Sequence, residues 1–93
     1  MTTLTFMSTK KRQKRSKRLH IYLLNDKVNS FEYVIKVLMA ICGQNAFQAE
    51  QCAMITHNTG QSHVYTGLGV HTILVYEALL KHGLDVELKT EKL

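Results

Sequence analysis

The chain has no run of 18 apolar residues, so no part of it reads as a membrane-spanning helix and no membrane partner is expected. It has only two cysteines, Cys42 and Cys52, at a spacing that suits no metal site. Free thiols in a reducing compartment are the expectation, and with them a cytoplasmic location. Positions 1–19 contain no acidic residue at all. They also lack an apolar stretch between their basic residues and the rest of the chain, which is not the pattern of a secretory signal. No Ser, Cys or Thr stands in a recognisable arrangement with a base and an orienting acid, so an enzyme is not expected. There is no internal repeat. What remains is one domain: 93 residues, 45% hydrophobic, enough for a modest core.

The net charge of +5 divides unevenly. Lys10, Lys11, Arg12, Lys14, Arg15, Lys17 and Arg18 give the first 19 residues a charge of +7, and the remainder carries −2. A block of like charges repels itself and has too little apolar surface to fold, so residues 1–18 read as a disordered basic extension and 19–93 as the domain. Extended at about 3.4 Å per residue, such a tail reaches about 65 Å, long enough to touch a second protein. Seven cations also fit a nucleic-acid arm. The tail lacks the interleaved aromatics that stack on bases, and the domain is acidic, so a nucleic-acid partner is the lesser alternative.

The rest of the chain alternates elements. Leu19 to Leu24 is an apolar strand stopped by Asn25-Asp26. Asn29, with Glu32 three residues on, reads as a capping box opening a helix that buries Phe31, Val34, Ile35, Leu38 and Ile41 and ends at Gly43. Asn45 and Gln48 form a second capping box. The helix after it runs to about Asn58, turns Ala49, Cys52, Ala53, Ile55 and Thr56 inward, and stops at Gly60 in a left-handed cap. A short strand, His63 to Tyr65, leads to a helix from about Leu68 to His82 with Val70, Ile73, Leu74, Tyr76 and Leu80 toward the core. Leu84 to Lys89 alternates as a last strand. The order is β-α-α-β-α-β, an α+β domain whose three-stranded antiparallel sheet is covered on one face by three helices.

The strand end, the first helix start and the second helix end gather an amide (Asn25), a carboxylate (Asp26) and an imidazole (His57) beside apolar side chains. With no nucleophile among them, this is a binding constellation whose best guest is a small cation attached to something hydrophobic. Asn25-Asp26 also serves as an ordinary turn, and His57 as a helix C-terminal histidine facing the dipole. The remaining histidines, His20, His63, His71 and His82, show no ligand spacing. Neither a metal nor a cofactor is expected.

Leu23-Leu24-Asn25-Asp26, Phe31-Glu32-Tyr33-Val34-Ile35, Gln48-Ala49-Glu50-Gln51-Cys52-Ala53 and Thr56-His57 with Gly60, in that order, resemble the ClpS family. These adaptors hand N-end-rule substrates to the Clp ATP-dependent protease. The resemblance runs from about Leu19 to Lys92. It implies that Asn25, Asp26 and His57 hold a substrate's free α-amino group. It further implies a pocket for the first side chain lined by Leu23, Leu24, Asn29, Phe31, Val34, Ala53, Thr56 and Val86. The implied partners are N-degron proteins and the N-domain of a Clp-type AAA+ unfoldase. The chain departs from the usual pattern at Lys27, where many members carry a second Asp, and at Val28-Asn29-Ser30-Phe31 in place of Tyr-Thr-Pro-Met. It departs again at Ala53, in place of a gating Met, and at Leu68 and Ile73 on the third helix, where other members carry polar docking positions.

Overall fold

The computed structural model describes residues 17–25 and 27–91. The basic extension expected over 1–18 lies almost wholly outside the described residues, as does Asp26. Six elements follow in the order anticipated: β1 (Arg18–Leu24), α1 (Phe31–Cys42), α2 (Ala46–Thr59), β2 (Gln61–Leu68), α3 (Gly69–Lys81) and β3 (Val86–Thr90). The sheet order is β2-β1-β3 with both pairings antiparallel. Ile21 and Leu23 of β1, Val64 of β2 and Val86 of β3 are buried with Val37, Leu38, Ala49, Val75 and Leu79 from the helices. One face of the sheet is thus covered, and β1, bonded on both edges, is its spine.

β2 is longer than the three-residue strand expected, because a bulge hides its alternation. Ile21 pairs with Tyr65 but Tyr22 pairs with His63, so Val64 is the extra residue. Ser62 and Val64 bury by ordinary alternation, at 7% and 5% exposure, with His63 out; past the bulge the phase changes, and half-buried Tyr65 follows Val64 on the covered face.

The helix starts are set by side-chain caps. Ser30, not Asn29, is the N-cap of α1, accepting from the Tyr33 N–H at 3.1 Å. Asn29 is drawn elsewhere: its Nδ2 donates to the Gly83 carbonyl at 2.8 Å. The second box is as read, with Asn45 Oδ1 accepting from Gln48 N and Gln48 Oε1 from Asn45 N. Gly60 closes α2 at φ +101°, a conformation that any Cβ would strain.

Three helix-face expectations are corrected. Val70, Ile73, Leu74 and Leu80 of α3 are exposed, and Thr72, Val75 and Leu79 are buried instead; Tyr76 is half-buried against the core. α3 is apolar nearly all round, so periodicity could not choose its face. A close approach chooses it: Gly67 lies where a Cβ would collide with Thr72 Oγ1 and press on the Tyr65 ring. Ile55 of α2 and Phe31 of α1 are likewise exposed, at 46% and 41%: Ile55 stands one position off buried Thr56, and Phe31, on the same face as Leu38, opens the helix at the rim of the fold rather than over the core. Cys42 and Cys52 are free and half-buried. Burial first, and neighbouring Cys52 second, push the Cys42 thiol up to about 11, so it stays protonated at neutral pH.

Gly67→Ala is expected to lower stability by about 1–3 kcal/mol, the usual cost of overpacking, read as a lower urea midpoint with an unchanged slope. An unchanged midpoint would mean that this approach does not fix α3.

Candidate functional site

The last residue pairs of the sheet place the site. Leu24, the end of β1, pairs with Gln61. One residue on, Asn25 N–H donates to the Gly60 carbonyl at 3.1 Å, and Gly60 N–H donates back to Thr56 at 2.9 Å. Asn25 is thereby held against the corner that ends α2, and His57 occupies the last turn of that helix. On the other edge, Leu24 N–H donates to the Asp85 carbonyl at 2.8 Å. Two more bonds reach from the α1 start to the end of α3: Asn29 to Gly83, and Tyr33 Oη to the His82 carbonyl at 2.7 Å. The loop joining β1 to α1 is therefore moored at both ends.

Between these elements lies a cavity of about 340 Å³. Its apolar wall comes from Leu23, Leu24, Phe31, Val34 and Ala53, and its polar edge from Asn25, Lys27, Asn29 and His57. Leu23 and Ala53 are buried at 2% and 5% exposure, so the floor is fixed core; Phe31 and His57 are exposed at the rim. Thr56 completes the wall without offering its proton to a guest. Ser62 Oγ donates to the Cys52 carbonyl at 3.0 Å, so the 2.7 Å bond between the two hydroxyls must run from Thr56 to Ser62.

Of the residues expected to hold an amino group, Asn25 and His57 meet in this cavity, and Asp26 lies outside the described residues. Of the expected pocket residues, Leu23, Leu24, Asn29, Phe31, Val34, Ala53 and Thr56 line it. Val86 does not: it pairs with Leu23 across the sheet and sits in the core at 6% exposure. Lys27, singled out in the sequence as a departure from the family pattern but not counted among the site residues, lines the cavity. Its place two residues after Asn25, in the six-residue loop between β1 and α1, was the available signal. A shallower depression lined by Phe31, Met54, His57 and Asn58 adjoins the first and shares its rim residues. The chemistry on offer is recognition: an amide, an imidazole and an ammonium along the edge of an apolar wall.

The comparisons with known proteins agree with this picture. A family model described as "ATP-dependent Clp protease adaptor protein ClpS" matches residues 14–84. Among solved structures, the chain is similar to Agrobacterium tumefaciens ClpS2 bound to L-phenylalaninamide. The likeness has 21% sequence identity and a TM-score of 0.67, and spans 81% of this chain and 98% of that one. At that identity it is a likeness of fold. No curated protein matches.

Proposed function

The chain belongs to the ClpS family of Clp-protease adaptors, and from that premise we propose that it captures proteins by a free N-terminus bearing a bulky hydrophobic first residue. It then delivers them to the N-domain of a Clp-type AAA+ unfoldase in the cytoplasm, without catalysing a reaction itself. The observation that carries this is a cavity joining Asn25 and His57 to a buried apolar floor of Leu23 and Ala53, with half-buried Val34 in its wall. An α-ammonium has three donors and no acceptor, which suits an amide oxygen, a neutral imidazole nitrogen and the carboxylate of Asp26. A Phe or Leu side chain then occupies the apolar part. The family relative seen with L-phenylalaninamide supports a guest of this class.

Magnitudes support selectivity for a free terminus. Charge-assisted hydrogen bonds contribute about 1.5–3 kcal/mol each, and burying one Leu or Phe contributes about 1.5–3 kcal/mol. Association and ordering offset much of the sum. An internal peptide bond brings one donor and no charge, so it forfeits most of the polar part.

Lys27 sets this site apart. A second ammonium on the cavity edge opposes an incoming one, and no ion pair of Lys27 exists among the described residues. Its repulsion is a surface effect and screens with salt.

Fluorescence anisotropy of labelled peptides beginning with Phe, Leu, Tyr, Trp or Arg tests the reading. Binding of some bulky hydrophobic starts is expected. His57→Ala should weaken it by about tenfold or more, the equivalent of one charge-assisted bond. Equal affinity of the His57→Ala variant would remove the imidazole from the site, and a failure of every peptide would sink the proposal. Lys27→Asp should tighten binding several-fold at low salt, with the gain shrinking as salt is added. A gain independent of salt, or none, would show that Lys27 does not oppose the guest.

A further inference from the structure

The sheet face away from the helices carries a cluster of its own. His20 Nδ1 lies 3.0 Å from His63 Nε2, and His20 Nε2 lies 2.9 Å from Glu91 Oε1. The β2 bulge brings this about: it sets His63 opposite Tyr22, which makes it the diagonal neighbour of His20 on the same face. The surroundings are defined. The Tyr22 ring meets His63 edge-on at 5.3 Å, Lys89 Nζ stands 4.9 Å over Tyr22, and Arg18 Nε is 3.7 Å from Glu91.

Glu91 accepts, so His20 Nε2 carries a hydrogen; in the neutral pair His20 Nδ1 then presents a lone pair and His63 Nε2–H donates to it. Two imidazoles are therefore directed at each other, one of them oriented by a carboxylate on its far nitrogen.

We infer that His20 Nδ1 and His63 Nε2 form a two-imidazole site for a divalent transition-metal ion such as Zn²⁺ or Ni²⁺, with Glu91 as the group that orients His20. Two nitrogens bound tetrahedrally at the usual zinc distances stand about 3.3 Å apart, close to the present spacing, and each ring turns to aim its lone pair off the N–N line at the ion. On binding, the His63 proton passes through solvent from Nε2 to Nδ1, and the ion takes its place between the rings. The Glu91–His20 pair then reproduces the carboxylate–histidine–metal arrangement that fixes a ligand's tautomer and raises its basicity. Among the described residues no group of three or more His, Cys, Asp or Glu could hold a metal, so the site has two protein ligands and water fills the remaining positions. The site joins β1 to β2, with its orienting residue just past β3; an ion held there clamps the sheet.

The test uses the untagged full chain titrated with NiCl₂ or ZnCl₂ alone, followed by calorimetry and by the thermal midpoint. One ion per chain and a midpoint that rises with metal are expected. His20→Gln and His63→Gln should each abolish both signals, and binding should weaken as pH falls through the histidine range. Glu91→Gln should keep the stoichiometry and weaken affinity about 10- to 100-fold, as loss of an orienting partner does. His63 is exposed, so its variant is expected to fold, which far-UV circular dichroism checks; should His20→Gln not fold, His63→Gln decides alone. No binding by the parent chain, or undiminished binding by His63→Gln, overturns the assignment.

Discussion

Everything at the candidate site depends on where β1 stops. The strand is bonded on both edges up to Leu24, and the next backbone donor, Asn25 N–H, goes to Gly60 rather than to a strand partner. That one bond ties the end of the central strand to the left-handed corner closing α2, and so sets Asn25 beside His57. The bond carries the backbone pairing of β1 one residue past the sheet. The mooring of Leu24 to Asp85 and of Asn29 and Tyr33 to the end of α3 extends the constraint to all three connections around the cavity.

The cavity divides labour between parts of different mobility. Its floor, Leu23, Ala53 and Thr56, belongs to the core and cannot move without repacking it. Its rim, Phe31, Lys27 and His57, is exposed. Depth and shape are therefore set by folding, while the electrostatics of the entrance rest on side chains that can change at little cost to stability. A substitution at Lys27 is thus expected to change which guests are tolerated and to leave the scaffold alone.

Much of this was legible in the sequence, for identifiable reasons. The Asn45–Gln48 box and the left-handed Gly60 stop are local devices, and local devices are written in adjacent residues. The apolar run Leu19 to Leu24 could hardly be other than a strand. What escaped depended on contacts between distant segments. Asn29 and Ser30 are both good caps, and only Gly83, far along the chain, decides between them. The buried face of α3 rests on Gly67 meeting Thr72, because the helix itself is apolar all round. The bulge at Val64 broke the alternation that would have shown β2 at full length, and it is also what brings His63 to His20. Val86 read as pocket wall; its pairing with Leu23 puts it in the core instead.

The most direct test of the adaptor reading is a ¹⁵N-HSQC titration of the full chain with L-phenylalaninamide and, in parallel, with its N-acetyl derivative. The free amine is expected to shift the resonances of Asn25, Ala53, Thr56 and His57 saturably, and the acetylated compound to leave them in place. Equal shifts from both compounds, or shifts confined to other parts of the chain, would contradict the claim that this cavity reads a free N-terminus.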